Sequence, residues 1–158
     1  MVWLGVDLGE ARVGLALSDP ELSLAHPAGN IQVGGDSFRA LDQVIDLIEE
    51  HAVESVVIGL PLLLDGSEGK SAKKARRWAA NLHKRLVRAL ASDDYDIQEL
   101  PHIGLEDERL TTVSAHQQLH EASLSSRRHR PVVDQQSAVL ILQTALDRHA
   151  TQRGPING

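Results

Sequence analysis

The chain has 158 residues, 42% of them hydrophobic and 24% charged, with a net charge of −6 and a pI near 5.7, which describes one soluble globular domain and not a basic nucleic-acid coat. There is no cysteine, which removes disulfides, thiolate catalysis and thiolate-held zinc or iron–sulfur centres together. Aromatics at 3% argue against base-stacking platforms, and no apolar run approaches the roughly 20 residues that cross a bilayer.

The N-terminus opens directly on the apolar run Val2 to Val6, without a basic leader, so the expectation is a cytoplasmic protein with no membrane partner. That run has the β-branched content of a strand buried on both faces. It stops at Asp7, turns through Leu8-Gly9-Glu10-Ala11-Arg12, and resumes as Val13 to Leu17, the pattern of a hairpin. Alternation puts Asp7 on the side of Trp3 and Gly5. A charge leaving an apolar strand is solvated, paired or bound to a cation, so Asp7 either caps the turn or serves a metal or phosphate. Ile31 to Val33 reads as a third short strand before Gly34-Gly35. Asp36 or Ser37 then caps a helix whose Phe38, Leu41, Val44, Ile45 and Ile48 recur at helical spacing.

Ser55 to Pro61 is a second buried strand after that helix, which predicts a β-α-β crossover and parallel pairing. The loop from Leu62 to Gly69 then falls at the same sheet end as Asp7, where α/β proteins place their sites. A helix over Ser71 to Ala91 follows, with Ala75, Ala79, Leu82, Leu86 and Ala89 on one arc and Lys70, Lys73, Arg77, Lys84 and Arg88 opposite. Eight of the 16 Lys and Arg residues lie between Lys70 and Arg88, a stretch free of Asp and Glu. The cationic face is either a solvated surface or a track for a phosphate backbone. Trp78 flanks the apolar arc and is expected to pack.

Between Tyr95 and Glu108 one strand is expected, bulged around Pro101, ending in three consecutive acids, Glu106-Asp107-Glu108, and Arg109. Thr112 is placed to cap a helix from Val113 to Glu121. His116 and His120, four apart on it, have metal-ligand spacing but no acidic motif beside them. Ala122 to Val133 reads as a mobile loop carrying Arg127, Arg128, His129 and Arg130, and the last helix runs from about Asp134 to His149 with Ala138, Ile141, Leu142 and Ala145 as its apolar stripe. Asp134 projects into that stripe, either as a cap or as a ligand aimed at the sheet. The division is therefore one domain over residues 1–150 and a tail over 151–158.

Four segments, VDLGEARVGLALSD, VIGLPLLLDGS, DERLTT and VDQQSAVLIL, together resemble the YqgF/RuvX family of pre-16S ribosomal RNA nucleases and Holliday-junction-resolvase-like proteins over nearly the whole chain. The resemblance implies an α/β, ribonuclease-H-like fold: a central mixed sheet that starts with an antiparallel hairpin and is flanked by helices. It also implies a catalytic and metal-binding triad of Asp7, Glu108 and Asp134, with Asp107 and Glu106 as alternates for the middle acid. Gln135-Gln136 after Asp134 and the Gln98 to Glu106 region depart from the usual pattern.

Three clustered carboxylates repel one another unless they share divalent cations, and oxygen-only ligands suit Mg²⁺ or Mn²⁺. Gly9 leaves room for a phosphate, and Arg12, Arg77, Arg109, Arg127 and Arg128 are candidates to contact the substrate. The chemistry of these residues leads to the expectation of metal-dependent endonucleolysis by a monomer or homodimer, and the resemblance implies structured precursor ribosomal RNA as its substrate. A Holliday-junction resolvase, which needs a two-fold dimer, is the rival within the enzyme class. Outside it stand a non-catalytic protein that binds RNA or another partner, and a phosphate-binding protein of the actin and sugar-kinase superfamily, which needs two such domains and so a longer chain.

Overall fold

The structure, a computed structural model, describes residues 1–110 and 130–153, with the side chains of 110, 130–135 and 153 outside the described set. Strand β1 (Trp3–Leu8) and strand β2 (Arg12–Ser18) form the expected hairpin, with Asp7 opposite Gly14 and Leu8 opposite Val13. Strand β3 (Ala25–Gln32) pairs antiparallel with the outer edge of β2. It is longer than the Ile31 to Val33 segment the residues suggested. Pro27 and Gly29 obscured it, yet an edge strand accommodates a residue without an N–H. A register shift opposite Leu15 and Ala16 passes over Ala28, as a bulge does.

Asp36 accepts a hydrogen bond from the Phe38 N–H and opens a 3₁₀ turn over Ser37–Ala40, which runs into helix α1 (Leu41–His51). Ala52, in the left-handed conformation, ends that helix. Strand β4 (Ser55–Leu60) then lies parallel to β1, and helix α2 (Lys70–Ala91) leads to strand β5 (His102–Asp107), parallel to β4. The sheet order is β3-β2-β1-β4-β5. The expected bulge around Pro101 is absent: β5 starts after the proline, at His102, whose N–H reaches the Glu54 carbonyl. Ile97 packs into the core instead of pairing.

The two sheet faces bury different partners. Leu4, Val6, Val56 and Ile58 meet Val44, Ile45 and Ile48 of α1 and Trp78, Leu82 and Leu86 of α2. Trp78 is fully buried and donates its indole N–H to the Ser37 carbonyl at 2.9 Å. Ala16 and Val57 meet Ala138, Ile141, Leu142 and Leu146 of helix α3 (Arg130–Arg153) on the other face. This helix begins before Asp134 and continues to Arg153, past the residue 150 boundary drawn from the sequence. It comes so close to β1 that a Cβ on Gly5 would lie 2.7 Å from the Leu142 Cβ and 2.9 Å from the Ala138 carbonyl oxygen. Its later turns reach the start of β1, where the rings of His149 and Trp3 are 4.9 Å apart. The helix is therefore antiparallel to β1, and its first turns, with the backbone of Asp134, extend toward the end of β1 that carries Asp7. Among the described residues no helix is long and apolar enough to cross a membrane.

Candidate active site

Asp7 belongs to the sheet face that packs on α3, because Trp3, Gly5 and Asp7 alternate together along β1. It is 6% exposed. In the parallel register Val6 lies beside Ile58 and Gly59 beside Glu106, so one step on from Val6 the level reads Asp7, Gly59, Glu106. Past Asp107 the chain leaves β5 in a single 3₁₀ turn, Glu108–Leu110. That turn returns the Glu108 side chain over Gly59, where a Cβ would lie 2.6 Å from Glu108 Oε1 and 2.6 Å from Ile141 Cδ1. A glycine is needed there for a carboxylate to occupy the space.

Asp7 and Glu108 both line one cavity of about 430 Å³, with Gly9 and Gly59 beside them and Lys70, Lys74 and Arg77 of α2 on its other wall. Glu108 is 8% exposed, and burial, helped by the charge of Asp107, pushes its carboxyl up to about 7. This anion lacks the stabilisation that water would give, and a cation in the cavity would restore it. The wall opposite is itself positive. No acid occupies the first turn of α2, and Gly69 at its N-cap position offers no side chain to the free N–H groups, so the positive pole of the helix adds to Lys70 and Lys74.

The three consecutive acids have three different surroundings. Glu106, 3% exposed, is paired with Arg148 of α3. Asp107 points to the opposite face and accepts from the backbone N–H and the guanidinium of Arg109, which hold its carboxyl below the usual range. Only Glu108 shares the cavity with Asp7. Arg109 also reaches the Leu64 carbonyl at 3.4 Å, over the Asp65-Gly66 turn, and Arg12 starts β2 opposite Gln32; neither lines the cavity. Gly9 and Arg77 do line it. The side chain of Asp134, and Arg127, Arg128, His116 and His120 entirely, lie outside the described residues. Among the described residues no group of three or more His, Asp or Glu side chains is placed to hold a metal ion. Two buried carboxylates facing one cavity nonetheless form the start of an oxygen-ligand set suited to Mg²⁺ or Mn²⁺.

Glu10, and on α2 Ser71 and Lys74, also line the cavity, and none of the three is among the site residues expected from the sequence. For Ser71 and Lys74 the signal was available: α2 starts nine residues after Pro61, at the sheet end where the site lies, so its first two turns must overlook that site.

A family model described as "RuvX: Holliday junction resolvase" matches residues 1–148. A protein of Bifidobacterium adolescentis named "Putative pre-16S rRNA nuclease" is 70% identical over 148 residues, covering 94% of this chain and 98% of that one. A protein of the same name from Kineococcus radiotolerans is 40% identical over 155 residues, covering 98% of this chain and 76% of that one. Among solved structures, Thermus thermophilus RuvC in complex with a Holliday junction substrate aligns with a TM-score of 0.54 over 94% of this chain and 95% of that chain, at 18% identity. At that identity the likeness establishes the fold, a RuvC-like ribonuclease-H fold.

Proposed function

The chain belongs to the RuvX family, and we propose that it is a cytoplasmic, metal-dependent endonuclease that cleaves structured precursor ribosomal RNA. The observation that carries this reading is the pair of buried carboxylates, Asp7 and Glu108, facing a cationic wall across one cavity. Asp7, Glu108 and Asp134 are the residues that would hold the metal. The donor set fits: all three are carboxylates, and burial makes the Glu108 anion costly without a counter-charge. Mg²⁺ or Mn²⁺ bound there supplies an acidified water and offsets charge on the scissile phosphate.

The chain's own contribution is positional. Lys70, Lys74 and Arg77 receive the phosphate from the α2 side, at the positive pole of that helix. Gly9 lines the cavity between Leu8 and Glu10 and adds no side chain at its own position, where the backbone of the substrate can come close. Arg109, tied to Asp107, secures the 3₁₀ turn that aims Glu108 and so acts at one remove from the substrate. The names of the curated relatives support precursor 16S rRNA as the substrate.

Purified protein given end-labelled precursor RNA and Mg²⁺ or Mn²⁺ is expected to cut at discrete positions, and Asp7→Asn to lose at least a hundredfold in rate. Equal cutting by both proteins would sink the assignment. The description of the family model favours a second substrate, a four-way DNA junction. Run in parallel, paired symmetric nicks in the junction without cleavage of RNA would transfer the assignment to it.

A further inference from the structure

Helix α2 carries more positive charge than the cavity uses. Among the described residues, Arg76 is paired with Glu68 at 2.7 Å and Arg85 with Asp42 at 2.6 Å. Lys70, Lys73, Lys74, Arg77, Lys84 and Arg88 have no carboxylate within ion-pair distance in the same set. All of these are exposed except Lys74, which is half-buried at the cavity. At 3.6 residues per turn the six fall within an arc of about 100°, and the two paired arginines sit on its flanks. The stripe starts at the cavity and runs about 27 Å to Arg88, at 1.5 Å per residue.

The stripe costs the helix something by itself. Lys70–Lys74, Lys73–Arg77 and Lys84–Arg88 are like-charged neighbours four apart, and three lysines crowd the positive pole of the macrodipole. Bound phosphates would relieve both repulsions. Their geometry also selects the form of nucleic acid. The stripe is straight and rigid, since the opposite side of α2 is locked into the core by Trp78, Leu82 and Leu86. It bears no exposed aromatic ring, because Trp78 is fully buried and the exposed His83 lies about 80° around the helix from the edge of the stripe. Unpaired bases would find nothing to stack on, whereas a duplex offers phosphates at fixed positions to a fixed row of cations.

We propose that the α2 stripe from Lys70 to Arg88 is a docking track for a double-helical RNA arm, gripping its backbone without reading sequence and feeding the adjoining strand into the Asp7–Glu108 cavity. This rests on RNA being the substrate, and it makes Lys84 and Arg88, at the end remote from the cavity, binding residues.

The test is equilibrium binding of the full-length protein, in chelator so that turnover is absent, to a 20-base-pair RNA hairpin and to an unstructured oligouridine, over about 50 to 200 mM salt. Lys84→Ala combined with Arg88→Ala is expected to weaken hairpin binding roughly tenfold and to flatten the log–log salt slope by about 2, with a smaller effect on oligouridine. Arg39→Ala, which removes an exposed cation outside α2, is expected to leave hairpin binding within twofold. The track is overturned if the double variant binds the hairpin like the parent, if oligouridine suffers as much as the hairpin, or if Arg39→Ala costs as much per charge. The two readings separate cleanly. Cleavage of RNA with no loss in the double variant removes the track alone, and track-dependent hairpin binding with no cleavage in any divalent metal removes the nuclease alone.

Discussion

Burial raises the Glu108 carboxyl from an ordinary value of 4.5 to about 7, so in the metal-free protein the folded state holds a proton that the unfolded chain has already released. Between those two values unfolding releases a proton. The stability contributed by the neutral carboxyl is therefore complete below about pH 4.5, falls as pH rises, and is gone above about 7. The loss is on the order of 3 kcal/mol, at 1.36 kcal/mol per pH unit of difference. Urea unfolding in chelator should give a more stable protein at pH 5 than at pH 8, and Glu108→Gln should flatten that dependence. A wild-type protein that is more stable at pH 8 would show that the carboxyl is ionised in the fold. The identity of this acid was only partly legible in the sequence. Alternation along an extended segment separates Asp107 from Glu108, but it leaves Glu106 and Glu108 on one face. What distinguishes them is Arg148, 42 residues further along, which pairs with Glu106, and a 3₁₀ turn that carries Glu108 over Gly59. Neither has a local signature.

At the scale of elements, the close approach of α3 to β1 decides where the start of that helix lies. Gly5 makes it possible. A methyl group there meets the Leu142 Cβ at 2.7 Å and a backbone carbonyl at 2.9 Å, atoms that cannot rotate away, so the helix would have to shift. Gly5→Ala should therefore destabilise the protein by about 1–3 kcal/mol, with a matching fall in the urea midpoint. Gly104→Ala is the control, because its Cβ would meet only the His102 ring at 3.5 Å, and it should change stability by less than about 0.5 kcal/mol. Equal effects would mean that α3 has slack over β1. The hairpin, β4, α1 and α2 were readable because each buries a regular face, with period 2 or 3.6. β3 was truncated in the reading because Pro27 and Gly29 break the pattern of an edge strand that has one partner. The closeness of α3 was hidden for a different reason: a glycine in an apolar run tells of backbone freedom or of a near neighbour without distinguishing the two.

At the scale of the whole molecule, the proposed ligands are far apart in sequence and meet only in the fold, one at the end of β1, one in the turn after β5 and one in the first turns of α3. A cation held among them joins the three elements that the sheet and its covering helix bring together, and the unfolded chain has no such site. Binding must then stabilise the fold by mass action, by about 2.7 kcal/mol at a free concentration 100 times the dissociation constant. For a chain of this size that corresponds to roughly 5–10 °C in melting temperature. Calorimetric scans with Mn²⁺ should show this rise at pH 8, and a smaller one at pH 5, where the proton on Glu108 competes with the metal. Removing the ion with chelator should restore the lower transition. In Asp7→Asn the metal-dependent rise should shrink to a fraction of the wild-type value, because one of three anionic ligands is gone. An undiminished rise in that variant would place the cation elsewhere on this acidic surface and leave the cavity without its metal.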